Sequence, residues 1–150
     1  MTKVRLTKKF SFEMAHALEG YDGACKHIHG HSYHMFVTVI GSPNEDINNP
    51  KCGMVMDFSV LKKIVNTTVI EKYDHSFVCR KSQKRESLLN DITEEFEKVI
   101  LTDYQPTCEN MISRIAKEIS LNLPEGTFLH HIKLHETENS FAEWFASDNI

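Results

Sequence analysis

No apolar run in this sequence approaches the roughly 20 residues needed to span a bilayer. The opening stretch Met1-Thr2-Lys3-Val4-Arg5-Leu6 also has no apolar core of the secretory kind. A cytoplasmic location is the expectation that follows, with no membrane as a partner. Neither sign of charge dominates: 17 basic residues stand against 21 acidic ones, for a net charge of -4. With no general basic excess, nucleic acid or an anionic membrane is disfavoured as the main partner, while a local positive pocket for a small anionic substrate stays open. Cysteine is scarce and unpatterned. Cys25, Cys52, Cys79 and Cys108 follow no CxxC or disulfide-like spacing, so in a reducing compartment they are expected as thiols. Internal repeats and low-complexity tracts are missing too. What is left is 150 residues, 41% of them hydrophobic, enough for one well-buried core and too few for two ordinary domains. The chain 1–150 therefore reads as a single domain.

Against that background one stretch is dense in chemistry. Cys25-Lys26-His27-Ile28-His29-Gly30-His31 runs straight into the apolar segment Tyr33 to Ile40, as a loop feeding a strand. If His29 and His31 already lie on that strand, its two-residue period puts both imidazoles on one face, able to share one ion, with Gly30 leaving the opposite side unobstructed. Neutral imidazole is the commonest ligand for a cation such as zinc, and three protein ligands with one open position is the catalytic pattern. A third ligand must come from elsewhere.

The preceding segment offers it. Val4, Leu6, Phe10 and Phe12 alternate with Arg5, Thr7, Lys9, Ser11 and Glu13, which predicts a half-buried first strand. Continued through Met14, that parity sets His16 at the end of the inward row. Alone, it would read as a hydrogen-bonded core histidine. A hairpin turned through Gly20 and Gly23 would bring it beside His29 and His31, which raises the ligand reading. A second strand, Tyr33 to Gly41, is apolar on both faces apart from His34 and Thr38, predicting burial on each side. Ser42 to Gly53 is a surface loop by composition. Asp57 or Ser59 caps a helix with Val60, Leu61, Ile64, Val65 and Val69 at helical spacing, so Asp57 reads as a cap rather than a catalyst.

Tyr73-Asp74-His75 is by itself an ordinary polar turn, of interest only with a nucleophile or base nearby. Cys79 to Arg85 reads as a solvated basic loop, with phosphate contact as the lesser alternative. Leu88, Ile92, Phe96 and Val99 form a stripe that predicts an amphipathic helix packed on the core. Thr107 is placed to cap another helix, with Glu109 in its first turn and Met111, Ile112, Ile115 and Ile119 on its buried face. After a turn at Pro124-Glu125-Gly126, the residues Phe128, Ile132 and Leu134 alternate along a third strand that ends with Glu136 on the same face, closing the row at a pocket mouth. Phe141 to Ala146 is a short last strand. This order predicts an α+β fold, a four-stranded antiparallel sheet with helices on one face. Its two open edges suggest a symmetric oligomer joined sheet to sheet.

Taken together, Phe10-Ser11-Phe12-Glu13-Met14-Ala15-His16, Cys25-x-x-x-His29-Gly30-His31, Asp74-His75, Pro106-Thr107-x-Glu109-Asn110 and Glu136 give a sequence that resembles the 6-pyruvoyltetrahydropterin synthase and 6-carboxytetrahydropterin synthase family over essentially its whole length. The resemblance implies one pterin-synthase-like domain with the tunnelling fold. In that fold a ββααββ subunit trimerises into a strand barrel and stacks as a dimer of trimers, a homohexamer with active sites between subunits. It implies Zn2+ on His16, His29 and His31, Cys25 as the base, and Asp74 with His75 from a neighbouring subunit as a proton relay. Glu136 would anchor the pterin ring, with Thr107 and Glu109 in the same pocket. The three-residue gap between Cys25 and His29 is similar to that of the bacterial 6-carboxytetrahydropterin synthases. These convert 7,8-dihydroneopterin triphosphate to 6-carboxytetrahydropterin, acetaldehyde and triphosphate on the way to deazapurine nucleosides such as queuosine. The alternatives are the pyruvoyl-forming, triphosphate-eliminating relative and a zinc- and pterin-binding protein without turnover. Two features depart from the family pattern: a long segment between His75 and Pro106, with an inserted helix near Leu88 to Ile100, and the extra histidine His27.

The residue types suit the implied chemistry. Zinc on three neutral imidazoles keeps its charge and acidifies oxygens that coordinate it. A cysteine acts as base only as thiolate, which a nearby cation favours. A carboxylate offers two acceptors to the donor edge of a 2-amino-4-oxo pterin.

Overall fold

In the computed structural model, which describes residues 2–149, the predicted hairpin is the longest pairing. Strand β1 (Val4–Ala17) lies antiparallel to β2 (His29–Gly41), Val4 opposite Gly41 and His16 opposite His29. The alternation expected of β1 is present: Phe10, Phe12, Met14 and His16 are buried, whereas Lys9, Ser11 and Glu13 are exposed. On β2, Tyr33, Met35, Val37 and Val39 are fully buried, and the other face is covered only in part. Strand β2 starts earlier than Tyr33, so the His-Gly-His motif is strand rather than loop.

Two long helical segments close the buried face. Asp57 caps α1 (Phe58–Val65), its Oδ1 accepting the Ser59 N–H at 2.7 Å. The chain continues through a π-helical turn at Asn66–Ile70 into α2 (Glu71–Tyr73). Leu61, Val65, Val69 and Tyr73 recur every four residues and are all buried. A 3.6-residue helix would rotate such a row off the sheet, and the wider π turn brings it back. Leu61→Ala should cost roughly 2–5 kcal/mol in a urea titration, since that site is closed on every side. Further along, β3 (Ser76–Arg80), α3 (Glu86–Glu95) and β4 (Val99–Thr102) precede α4 (Cys108–Asn122). Thr107 caps α4, its hydroxyl accepting the Asn110 N–H at 3.3 Å, and Met111, Ile112, Ile115 and Ile119 face the core as expected. Strands β5 (Thr127–His135) and β6 (Phe141–Phe145) finish the sheet.

The sheet differs from the four-stranded antiparallel expectation. It has six strands in the order β4-β3-β1-β2-β5-β6, and it is mixed, because β3 runs parallel to both β1 and β4. Cys79 and Arg80, read as part of a loop, belong to β3. The apolar run Phe77-Val78-Cys79 is too short for alternation to register, and tertiary pairing with Ala15 to Ala17 decides it. The inserted helix also ends early, at Glu95, because Val99 and Ile100 pair with Phe77 and Val78 instead of extending the stripe. Leu88 and Phe96 are exposed, and Leu89 is the one buried residue of α3. Ala17, Cys79 and Leu89 are buried outside the main core cluster. Helix α3 thus covers the reverse face at this edge, so the helices do not all share one side.

A second difference lies in β5. His131 pairs with Thr38 but Leu129 pairs with Val39, so His130 is an extra, bulged residue. The bulge flips the parity of the strand's start: Leu129 is buried, and Phe128 faces out at 61% exposure.

Candidate active site

The hairpin register brings the three predicted ligands together. His16 sits opposite His29 and Met14 opposite His31, so the imidazoles share the core face at the end of the β1–β2 ladder. One ligand nitrogen from each ring lies within 4.8 Å of the other two. Their tautomers follow from the outer hydrogen bonds. His16 Nδ1 is 2.7 Å from the Pro106 carbonyl oxygen and His29 Nδ1 is 2.8 Å from that of His27. A carbonyl only accepts, so both rings donate from Nδ1 and, when neutral, keep a lone pair on Nε2. Those two Nε2 atoms face each other at 3.0 Å. Two facing lone pairs repel unless a cation lies among them. His31 Nε2 is buried with no hydrogen-bond partner among the described residues. A third orphaned nitrogen aimed at the same place fits a metal bound by three imidazoles. Burial lowers the pKa of His16 and of His31, favouring the neutral, ligating form, although Glu136 partly opposes the shift in both.

Glu136 follows β5 immediately and turns in beside the triad. Its Oε1 is 3.6 Å from His16 Nε2 and 3.9 Å from His31 Nε2, and it accepts from the Tyr33 hydroxyl at 3.4 Å. Burial, reinforced by the Glu136 charge, pushes the Tyr33 phenol far up, so Tyr33 remains a donor. Cys108 lies near the same carboxylate, its thiol pushed up to about 11 by burial first and Glu136 second. Neither Tyr33 nor Cys108 was singled out from the sequence. For Tyr33 a signal existed, since the row His29, His31, Tyr33 continues with period two. For Cys108 there was none.

Cys25 lies in a 3-10 turn, Ala24–Lys26, half-buried, with its carbonyl accepting the Leu18 N–H at 2.9 Å. Thr107 is engaged as a helix cap, and Glu109 is exposed in the first turn of α4. Asp74 and His75 form a pair of their own. Asp74 accepts the Glu13 N–H at 2.9 Å and His75 Nδ1–H at 3.0 Å. The Glu13 N–H, helped by His75 and opposed by burial, leaves the Asp74 carboxyl below its usual value. His75 has a left-handed backbone, φ 59, rare for a residue with a side chain, and its N–H donates to the Glu13 carbonyl at 2.6 Å. Among the described residues, no hydrogen bond or ion pair joins this pair to the triad or to Cys25. His75 instead borders a cavity of about 680 Å³ on the reverse face, walled by Ala15, Gly30, Phe77, Ile92 and Phe96, with His31 at its edge. A Cβ on Gly30 would meet Met14 O at 3.5 Å, an ordinary contact, so this space alone does not demand glycine there.

The comparisons with known proteins agree with one another. A family profile described as 6-pyruvoyl tetrahydropterin synthase matches residues 5–146. The 6-carboxy-5,6,7,8-tetrahydropterin synthase of Haemophilus influenzae is 33% identical over 141 residues, covering 93% of this chain and 97% of its own length. That of Rickettsia bellii is 30% identical, covering 93% and 99%. Among solved structures, the 6-pyruvoyl tetrahydropterin synthase of Caenorhabditis elegans shares the fold with a TM-score of 0.69 at 22% identity, covering 97% of both chains. No helix among the described residues is long and apolar enough to cross a membrane.

Proposed function

This chain belongs to the 6-pyruvoyl tetrahydropterin synthase family, and on that premise we propose that it is a zinc-dependent 6-carboxy-5,6,7,8-tetrahydropterin synthase. It would convert 7,8-dihydroneopterin triphosphate to 6-carboxytetrahydropterin, acetaldehyde and triphosphate, in the cytoplasm and on the queuosine route. The relatives from Haemophilus influenzae and Rickettsia bellii bear that name over nearly their full length. The observation that carries the reading is the convergence of three imidazole nitrogens, two with their tautomers set by carbonyls and the third orphaned.

His16, His29 and His31 would hold the zinc, whose charge when bound would acidify the side-chain oxygens of the substrate. The remaining work falls to the chain's own groups. Glu136, which accepts from the Tyr33 hydroxyl, would hold the amino edge of the pterin ring, with Thr107 and Glu109 at the margin of the pocket. Cys25 would take the side-chain proton as a thiolate. Asp74, by accepting from His75 Nδ1, leaves His75 Nε2 free to exchange that proton with solvent. Within one subunit the Asp74–His75 pair faces the reverse side of the hairpin, so a relay to Cys25 calls for a neighbouring copy. That need supports a homohexamer with sites between subunits. A dilute-solution mass equal to one chain, 17.3 kDa, would sink the shared-site reading, whereas a sixfold mass is expected.

Incubating zinc-loaded protein with 7,8-dihydroneopterin triphosphate and identifying the product by mass spectrometry tests the function directly. 6-Carboxytetrahydropterin with acetaldehyde is expected. A pyruvoyl product, or tight pterin binding without turnover, would overturn the assignment.

A further inference from the structure

The segment between β1 and β2 carries Cys25, yet it lies outside the ladder that pairs those two strands. A side chain from elsewhere grips the main chain at its start. Gln105 Oε1 accepts the Glu19 N–H at 3.1 Å while Gln105 Nε2 donates to the Glu19 carbonyl, so one amide serves both main-chain groups of one residue. The Gln105 backbone is itself pinned, its carbonyl accepting from the Thr107 N–H and from Asn110 Nδ2, both at 2.9 Å. One residue on, the Pro106 carbonyl receives the His16 Nδ1–H. One residue before Glu19, the Leu18 N–H closes the loop onto the Cys25 carbonyl. Gln105 therefore stands between two fixtures: the carbonyl that sets the His16 tautomer and the turn that presents Cys25. Ser82 also contacts Glu19, but its hydroxyl donates to the carboxylate and leaves the clasp alone.

We infer that Gln105 is a positioning residue that couples the Cys25 loop to the orientation of His16. The importance of those two residues rests on the proposed function; the clasp does not. A glutamine suits this place because its amide offers a donor and an acceptor side by side. Glutamate in its place has the same shape but sets an acceptor against the Glu19 carbonyl, which leaves that contact repulsive.

The experiment compares Gln105→Ala, Gln105→Glu and, as a control, Ser82→Ala. In metal-free protein, hydrogen exchange of the Glu19 amide should quicken by roughly tenfold or more in Gln105→Ala and stay near wild type in Ser82→Ala. In zinc-loaded protein, Gln105→Glu should lower kcat by roughly 10- to 100-fold with KM little changed, since the substrate's own contacts remain. In the cobalt-substituted protein its visible bands should shift as the Pro106–His16 contact moves. Unchanged Glu19 exchange in Gln105→Ala overturns the clasp; should that variant fail to fold, exchange in Gln105→Glu decides instead. Faster exchange with wild-type kcat and cobalt spectrum overturns the positioning role. A wild-type protein that neither binds cobalt nor turns over the pterin would sink the proposed function, and the coupling role with it, while Glu19 exchange still judged the clasp.

Discussion

Replacing Cys25 by alanine should lower turnover by roughly 10²–10⁴-fold, the usual contribution of a positioned general base, with folding and zinc content unchanged. The site makes this a clean test. Cys25 is half-buried in a short 3-10 turn, and its recorded tie to the fold is through its backbone carbonyl, which accepts from Leu18 whatever the side chain. Alanine removes only the sulfur. Cys25→Ser should be nearly as inactive, because a hydroxyl does not ionise near neutral pH where a thiol near a cation does. Steady-state turnover beside zinc analysis and circular dichroism separates the outcomes. Full activity in Cys25→Ala would remove the proposed base and shift attention to His75, whose Nε2 is left open by the Asp74 contact at Nδ1.

The second large effect is expected on metal capture. His29→Ala should weaken zinc binding by more than roughly 100-fold, beyond the loss typical of removing only an outer hydrogen-bond partner of a ligand. His29 is a better probe than His16. His16 is 2% exposed and donates to Pro106, so its removal would open a hole and strand a buried carbonyl. His29 is half-exposed at the strand end, and its Nδ1 partner, the His27 carbonyl, can turn to water. Competition with a zinc-binding dye would measure the change. Stoichiometric, tight zinc in His29→Ala would show that the ion sits elsewhere, with His27 as the neighbour to examine next. The orphaned Nε2 of His31 offers a parallel check, since zinc should stabilise the fold by occupying it, and a chelator should lower Tm.

The place of the triad on two paired strands explains why so much of it is legible in the sequence. Strand period is a strictly local property, so the parity of Phe10, Phe12, Met14 and His16, and the spacing of His29 and His31, place these rings on one face as soon as the two segments are strands. The caps at Asp57 and Thr107 were legible for the same reason: a side-chain acceptor and the N–H two or three residues on are neighbours in the chain. The two long helical faces also follow from local spacing.

What the tertiary structure alone decided involves partners far apart. Phe77-Val78-Cys79 becomes a strand only because Ala15 to Ala17 lies alongside, and Val99 leaves the helical stripe because β3 then offers it a ladder. The bulge at His130 depends on its pairing with Thr38 and Val39 and cannot be seen in β5 by itself. Glu136 was legible as a carboxylate closing an apolar row, but its approach to His16 and His31 required the chain to fold back on itself, as did its contact with the Tyr33 hydroxyl, across a separation of 103 residues. Gln105 reaches Glu19 across a separation of 86 residues through two hydrogen bonds that leave no periodic trace. Local geometry is written in spacing, which a single sequence displays; the choice of a distant partner is settled by which pairing buries and satisfies the most groups at once, and that is a property of the folded chain.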